Sequence, residues 1–266
     1  MKGRVLIAAG SDSGGGAGIQ ADIKAVTALG GYAATAITAL TAQNTTGVHG
    51  VHEVPVDFIR QQIELVLRDI GADALKTGML HSPSVLDCVA ESFAREAPGT
   101  PLVVDPVMVA KGGASLLQEE ARSLLRKRLI PLATVITPNV PEAEILAGMD
   151  IPDEAAMAEA GRRLLALGPA AVLMKGGHLE GAETVDLLVT AAGIERLASP
   201  RIDTVHTHGT GCTLASAIAT GLAQGLALSP AVGRARAYVQ EAIRTAPGYG
   251  QGHGPLNHGH TVRPFE

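Results

Sequence analysis

The amino-acid sequence predicts an α/β protein with a central, mainly parallel sheet covered by helices on both faces. Short apolar runs alternate with amphipathic stretches along the 266 residues, which is the pattern of successive βαβ units. Hydrophobic residues make up 46% of the chain and charged residues 18%, which excludes a disordered or fibrous protein. We find no internal repeat and no linker, and we expect one domain over residues 1–266.

The N-terminal part of the sequence predicts four elements in succession. Val5–Ala9 is a short apolar run that predicts a buried strand, and a Gly-rich turn follows it. Residues 17–29 predict a helix, and residues 32–40 predict a second strand. Apolar residues from 56 to 70 recur at spacings of three and four, which is the spacing of one helical face.

The rest of the sequence supplies the other elements. Four short buried runs, each followed by a loop, predict strands: ALKTGM, PLVVDPV, TVITPN and AVLMKGG. Helical patterns over 115–130 and 153–167 separate the last three runs. The segments TVDLLVT and IERLASP predict an antiparallel hairpin at one edge, with a turn at 191–193. Residues 211–225 and 230–246 predict two closing helices.

The composition excludes several classes of partner. The formal net charge is −5, and the densest basic stretch, Arg126–Arg128, is typical of a solvated helix face. Three Phe, three Tyr and no Trp disfavour a surface on which nucleic-acid bases stack. The first apolar run is too short for a signal peptide or a membrane span. We therefore expect neither a nucleic-acid partner nor a membrane.

The cysteines and histidines predict no metal site. Cys88 and Cys212 are too few for a disulfide framework or a zinc site, and free thiols are typical of a reducing cytoplasm. The histidines at 253, 258 and 260 match no zinc-ligand spacing and lie among glycines. We expect a cytoplasmic protein with a C-terminal tail that folds back over the sheet.

Polar and small residues follow the predicted strands directly. Ligands of open parallel sheets bind beyond the carboxyl ends of the strands, so these segments are expected to converge on one site. They are Gly10–Asp12, Thr41–Asn44, Lys76–Met79, Asp105, Asn139–Glu142, Lys175–Gly177 and Thr207–Cys212.

The sharpest motif is THGTGC at 207–212, ahead of an apolar helix. Gly209 and Gly211 permit a tight turn in which several N–H groups face one anion, and the helix N-terminus adds positive charge. A phosphoryl group in transfer needs such a cradle. An ordinary helix start capped by Thr210 or Thr213 is the alternative. The helix N-terminus is also expected to lower the pKa of Cys212; a small buried hydrophobe is the alternative.

Four further polar residues fit a nucleotide site. Asn139 and Glu142 follow a strand, and the Glu142 carboxylate suits Mg²⁺ held through water; favouring the helix dipole is the alternative. Asp105, directly after a strand, is a similar candidate. Lys175 is suited to a phosphate as a point charge, or is simply a surface lysine at a strand end.

The N-terminal loop GSDSGGGAG is not a dinucleotide fingerprint. Its glycine spacing is wrong, and no acidic residue follows about 20 residues on. We interpret the loop as backbone that packs closely against a small substrate. Asp22, one helical turn past Gly18, faces the same pocket or solvent, and the Gln43 carboxamide can pair with both a donor and an acceptor on a heterocycle.

Taken together, the sequence resembles the hydroxymethylpyrimidine/phosphomethylpyrimidine kinases of thiamine biosynthesis, within the ribokinase-like superfamily. Eight blocks carry the resemblance in order: AGSDSGGGAGIQADIKA, TAITALTAQNTTGV, KTGML, VVDPVM, ITPNVPEAEIL, VLMKGGH, THGTGCTLASAIA and GHGPLNH. The resemblance implies a ribokinase-like three-layer sandwich and a homodimer. It also implies that Mg²⁺ and ATP serve to phosphorylate 4-amino-5-hydroxymethyl-2-methylpyrimidine to its monophosphate and then to the diphosphate.

The resemblance also assigns roles to matching positions. The substrate pocket is expected at Gly10, Asp22, Gln43, Met79 and Val107. ATP is expected at Asp105, Asn139, Lys175, Thr207, Gly209 and Gly211, with Mg²⁺ near Glu142. The catalytic group is expected to be Lys175, the anion hole of Gly209, Thr210 and Gly211, and Cys212, which occupies the position of the superfamily's catalytic Asp.

Three other functions are weighed against this one. A pyridoxal or pyridoxine kinase is the alternative within the superfamily, because some pyridoxal kinases are very similar in sequence. An oxidoreductase with a nicotinamide cofactor is disfavoured by the missing acidic residue and by the THGTGC motif. A non-catalytic small-molecule sensor on the same fold is disfavoured because Lys175, Glu142 and Cys212 are all present.

Overall fold

The computed structural model describes residues 1–109, 113 and 116–263. Its elements follow the chain in this order: β1 (Arg4–Ala9), α1 (Gly18–Ala28), β2 (Tyr32–Ile37), β3 (Ala39–Asn44), β4 (Gly47–Glu53), α2 (Val56–Asp69), β5 (Ala74–Thr77), α3 (Pro83–Glu96), β6 (Leu102–Val104), α4 (Glu119–Leu124), β7 (Val135–Ile136), α5 (Val140–Ala147), α6 (Glu154–Leu165), β8 (Ala171–Lys175), β9 (Glu183–Thr190), β10 (Gly193–Pro200), α7 (Thr210–Ala223) and α8 (Leu228–Arg244). After α4 the chain continues as a π-helical turn, Leu125–Leu129, and a 3-10 turn, Ile130–Leu132.

Eight strands form one sheet in the order β10-β9-β8-β7-β6-β5-β1-β2. Six neighbouring strands pair in parallel, in the order β2-β1-β5-β6-β7-β8, whereas β9 pairs antiparallel with both β8 and β10. The predicted mainly parallel sheet and its edge hairpin are therefore confirmed.

Helices cover both faces of this sheet, as predicted. In β1, Val5 and Ile7 belong to a core shared with apolar residues of α1, α7 and α8. Leu6 and Ala8 belong to a second core, shared with α2, α3, α5 and α6. Alternate residues of one strand thus face opposite helical layers, because successive side chains of a strand point to opposite sides of the sheet. In the described part of the chain, no helix is long and apolar enough to cross a membrane.

The strand expected over 32–40 is in fact two separate strands. β2 ends at Ile37, and β3 leaves the main sheet to pair antiparallel with β4. Buried Ala39 and Thr41 alternate with Leu40, which is 45% exposed, so β3 has one covered face. Asn44, the last residue of β3, stabilises the turn to β4 because its side-chain oxygen accepts the Thr46 N–H at 2.9 Å. The result is a hairpin, β3–β4, beside the carboxyl edge of the main sheet.

Other boundaries differ less. The helix expected over 115–130 begins at Glu119, and residue 115 lies outside the described residues. The helix α3, which Pro83 starts and which buries Leu86 and Phe93, was not predicted from the sequence. The C-terminal tail does fold back: the His208 N–H donates to the Gly254 carbonyl oxygen at 3.1 Å.

Candidate active site

A turn that only glycine can form leads into α7. Gly209 has φ of +83°, and a Cβ at this residue would overlap the carbonyl oxygen of Gly16. The loop after β1 and the loop before α7 are therefore in backbone contact. This contact brings the two Gly-rich motifs of the sequence together at the carboxyl edge of the sheet.

The first turn of α7 presents N–H groups to the cleft. Gly211 and Cys212 follow Thr210 in this turn, where N–H groups have no preceding helical carbonyl to bond. Together with the helix dipole they form a site for an anion. The N–H of Thr210 differs from the expectation, because it already donates to the Thr207 carbonyl oxygen at 3.3 Å.

An ion pair lies directly beside this turn. The ammonium of Lys175, at the end of β8, is 3.2 Å from Asp105 Oδ1, which also accepts the Thr137 hydroxyl at 3.2 Å. A Cβ on Gly211 would lie 3.1 Å from Lys175 Nζ. Burial alone would lower the pKa of Lys175, but the carboxylates of Asp105 and Glu142 raise it above its usual value. A charged ammonium and the helix N-terminus thus face the same small space.

Asn139 and Glu142 form a reciprocal cap at the start of α5. The Asn139 side chain accepts the Glu142 N–H at 2.9 Å, and the Glu142 carboxylate accepts the Asn139 N–H at 2.8 Å. Glu142 therefore does lie in the first turn of a helix, as the structural alternative for this residue required. Glu142 is nonetheless 7% exposed, and burial raises its pKa to about 7, against the attraction of Lys175. Glu142 is thus a buried carboxylate for which the cost of burial outweighs the attraction of the Lys175 ammonium.

Gly10, Met79 and Val107, three of the predicted substrate residues, lie together. The Met79 side chain packs so closely on Gly10 that a Cβ there would overlap its terminal methyl group. Met79 also forms a small apolar cluster with Ala39 and Leu116, and Val107 packs against it. Residues from four segments thus form one small apolar cluster.

Gln43 lies in the hairpin strand β3, not directly after a strand of the main sheet. Its N–H donates to Ser13 Oγ at 2.8 Å, and the Ser13 hydroxyl donates to the Gln43 carbonyl oxygen at 2.8 Å. One terminal atom of its side-chain amide is 3.1 Å from His208 Nε2, and the other is 3.4 Å from Thr41 Oγ1. The hairpin therefore contacts both Gly-rich loops through this residue.

Asp22 differs from the expectation of a direct substrate contact. Its carboxylate is fully buried, lies 2.8 Å and 2.9 Å from Lys76 Nζ, and accepts the Ser216 hydroxyl at 2.7 Å. The side chain has no surface to offer a substrate in this structure. Ser216 lies one turn beyond Cys212 on the same face of α7, so Asp22 and Lys76 lie below the anion site.

The expected lowering of the Cys212 pKa is wrong. Burial raises the pKa of this thiol to about 12, and the carboxylates of Asp22 and Asp105 add to the effect. The Lys76 ammonium and the Gly18 N–H act in the opposite direction but do not outweigh burial. Cys212 is therefore a protonated thiol at neutral pH.

Three polar residues of the site were not predicted from the sequence to have a role. Asp12 accepts the N–H groups of Gly14, Gly16 and Ala17 and lies 2.8 Å from His208 Nε2. An Asp followed by glycines is typical of such a turn and could have identified it. Lys76 could have been noticed as a charge inside an apolar strand, which requires a buried partner. His208 carried no signal beyond its place in the THGTGC motif.

Comparison with known proteins gives consistent relatives. A family model described as phosphomethylpyrimidine kinase matches residues 12–257. The thiamine biosynthesis bifunctional protein ThiED of Geobacter sulfurreducens is 55% identical over 257 residues, which cover 97% of this chain and 52% of that protein. The chain thus spans about half the length of that relative. The hydroxymethylpyrimidine/phosphomethylpyrimidine kinase of Streptomyces coelicolor is 49% identical over 96% of this chain and 94% of its own.

Solved structures share the same fold. The ADP complex of Bacillus subtilis pyridoxal kinase has a TM-score of 0.91 and 38% identity, covering 97% of this chain and 98% of that one. The phosphomethylpyrimidine kinase of Clostridium difficile has a TM-score of 0.81 and 46% identity, covering 91% of this chain and 100% of that one. These likenesses confirm the ribokinase-like three-layer fold that the sequence motifs implied.

Proposed function

The chain belongs to the phosphomethylpyrimidine kinase family, and we propose that it acts on two successive substrates of thiamine biosynthesis. It transfers the γ-phosphoryl group of ATP to the hydroxymethyl group of 4-amino-5-hydroxymethyl-2-methylpyrimidine, and a second one to the resulting monophosphate. The observation that carries the proposal is the first turn of α7, where a Cβ on Gly211 would lie 3.1 Å from Lys175 Nζ and 3.5 Å from Asp105 Oδ2. The apolar cluster around Met79 lies at the same carboxyl edge of the sheet.

Each part of this arrangement has a role in phosphoryl transfer. The N–H groups of Gly211 and Cys212 stabilise the charge that develops on the transferred group, because they are fixed before the reaction begins. The Lys175 ammonium neutralises a phosphate oxygen as a point charge. Met79 and its neighbours hold the ring so that its hydroxymethyl group points toward the anion site.

Mg²⁺ fits the residues present. Asp105 and Glu142 offer carboxylate oxygens of the kind that Mg²⁺ prefers, and the raised pKa of Glu142 marks a carboxylate that a nearby cation would stabilise. When bound, the ion would neutralise charge on the ATP phosphates. Because the Asn139 N–H occupies Glu142 Oε2, contact through water is the arrangement we propose.

We propose that Cys212 receives the proton that the hydroxymethyl group loses. With a pKa of about 12, only a small fraction of this thiol is ionised at neutral pH. A loose transition state asks little of a base, because the bond to the nucleophile forms late. The N–H groups and Lys175 therefore provide most of the rate enhancement at neutral pH, and the share of Cys212 grows as pH rises.

A pyridoxal kinase is the second candidate, favoured by the structural likeness to the Bacillus subtilis enzyme. We also propose a homodimer, from the family resemblance, and a cytoplasmic location, because Cys88 and Cys212 are free thiols. Light scattering of the purified protein tests the dimer.

The experiment for the kinase reaction measures ADP release with the pyrimidine alcohol as acceptor. Lys175→Met removes the ammonium but keeps most of the length of the side chain, and we expect it to lower kcat at least tenfold. Lys127→Met, on the π-helical turn after α4, is the matched control and is expected to leave kcat unchanged. Equal activity of wild type and Lys175→Met would contradict the assignment of the phosphate site.

A further inference from the structure

His208 touches two polar side chains with a single nitrogen atom. Its Nε2 lies 2.8 Å from Asp12 Oδ2 and 3.1 Å from the near terminal atom of the Gln43 amide. These three residues belong to the loop before α7, the loop after β1 and the hairpin strand β3. The phosphoryl-transfer steps described above use neither Asp12 nor His208.

The protonation of Asp12 and of His208 Nε2 decides which hydrogen bonds these side chains can form. Burial would raise the pKa of Asp12, but hydrogen bonds from His208 and from the Ala17 and Gly14 N–H groups hold it below its usual value. Asp12 is therefore a carboxylate and can only accept. His208 Nε2 must carry a proton to face it at 2.8 Å, whether the ring is neutral or charged.

A protonated Nε2 in turn fixes the orientation of the Gln43 amide. The amide NH₂ cannot lie against the His208 N–H, because two donors would then face each other. The amide oxygen must therefore be the atom near His208, and the NH₂ group the one near Thr41 Oγ1. Thr41 can accept there, because its own hydroxyl donates to the Ser11 carbonyl oxygen at 2.9 Å.

We infer that His208, oriented by Asp12, is a positioning residue that determines specificity by holding the Gln43 amide with its NH₂ group available to the substrate ring. The inference rests on the proposed function. An NH₂ donor selects a ring edge with an acceptor, and an aminopyrimidine offers a ring nitrogen next to its amino group. Pyridoxal has no amino group next to its ring nitrogen, so it cannot offer that paired donor and acceptor on one edge of its ring.

The surrounding backbone is built around this imidazole. A Cβ on Gly16 would lie 2.6 Å from His208 Cδ2, so the loop after β1 must be glycine where it passes the ring. His208 also bridges to Pro255 in the C-terminal tail, and its N–H donates to the Gly254 carbonyl oxygen. The ring therefore has little freedom to move away from Gln43.

A double-mutant cycle between His208 and Gln43 tests this inference. Calorimetry with the pyrimidine alcohol, and separately with ADP, is carried out on His208→Leu, Gln43→Ala and the double variant. We expect each single variant to weaken pyrimidine binding about tenfold, and the double variant to be hardly weaker than either one. ADP binding is expected to change less than twofold.

Two further variants separate specificity from folding. His208→Gln keeps an N–H donor at a similar distance, and we expect it to recover most of the pyrimidine affinity. His253→Leu, an exposed histidine of the tail, is the matched control and is expected to bind like wild type. The ratio of kcat/KM for the pyrimidine over pyridoxal should fall in His208→Leu by about the same factor as the affinity.

Additive losses in the cycle, or equal losses for pyrimidine and ADP, would overturn the inference while leaving the kinase assignment intact. Wild-type protein that binds no pyrimidine would instead contradict the proposed function itself.

Discussion

Glu142→Gln removes the negative charge of a buried carboxylate while it keeps an oxygen for the Asn139 N–H. Burial raises the pKa of Glu142 from 4.5 to about 7, which at 1.36 kcal/mol per unit is about 3 kcal/mol against the ionised form. The pKa of Glu142 is higher in the folded protein than in the unfolded protein, so the protonated group favours the folded state. This contribution to stability is fully present below pH 4.5 and is lost as pH rises through 7. Wild-type protein without Mg²⁺ therefore carries the whole penalty at pH 8.

The variant is expected to unfold at a higher temperature than wild type at pH 8, and at the same temperature at pH 4.5. A gain of about 3 kcal/mol corresponds to roughly 6–12 °C in Tm for a chain of this size. Differential scanning calorimetry at both pH values, with and without Mg²⁺ and ATP, measures the difference in Tm between the variant and wild type. The difference should narrow when Mg²⁺ and ATP are present, since the cation stabilises the wild-type carboxylate. In the kinase assay, kcat should fall at least tenfold.

Glu144→Gln is the control for this prediction. Glu144 lies on the same helix but accepts the Ile151 N–H at 2.9 Å outside the cleft, and its loss should not reproduce the pH-dependent gain. A Glu142→Gln variant that is no more stable than wild type at pH 8, and whose kcat equals that of wild type, would refute the reasoning.

Three other predictions address the remaining groups. Since the pKa of Cys212 is about 12, log kcat of wild type should rise with pH between 7 and 9. The kcat of Cys212→Ala should not change with pH and should be at least tenfold lower than that of wild type at pH 9. Superimposable pH profiles would mean that the thiol handles no proton. Gln43→Ala should raise the Kd of the pyrimidine about tenfold, the effect of about 1.4 kcal/mol, with ADP affinity unchanged by calorimetry, and equal losses would make Gln43 purely structural. Lys76→Met should lower the free energy of unfolding in urea by about 3–5 kcal/mol, because it leaves the buried Asp22 carboxylate without its ammonium partner. Adding Asp22→Leu to the same chain should recover most of that free energy. A double variant no more stable than Lys76→Met would contradict this pairing.

The strand ends of the main sheet could be predicted because parallel strands place their carboxyl ends at one edge. Asp105 and Lys175, 70 residues apart, meet there for that reason alone. The place of Gln43 could not be predicted in the same way. The stretch from Tyr32 to Leu40 has no break in its β-pattern, and only the packing of the folded chain shows that β3 leaves the sheet after Ile37.

Contacts between side chains that are far apart in the sequence could not be predicted from its pattern. Asp12 and His208 are 196 residues apart, and no periodicity relates two polar residues in two different loops. The pKa of Cys212 was misjudged for a related reason. The helix N-terminus is visible in the sequence, but the burial and the two carboxylates that outweigh it depend on the tertiary structure.

The most direct test of the central claim compares three acceptors with the purified protein: hydroxymethylpyrimidine, its monophosphate and pyridoxal. ADP release is measured with each under the same concentrations of Mg²⁺ and ATP. We expect turnover of both pyrimidines, with kcat/KM for hydroxymethylpyrimidine at least tenfold above that for pyridoxal. Turnover of pyridoxal alone would contradict the account.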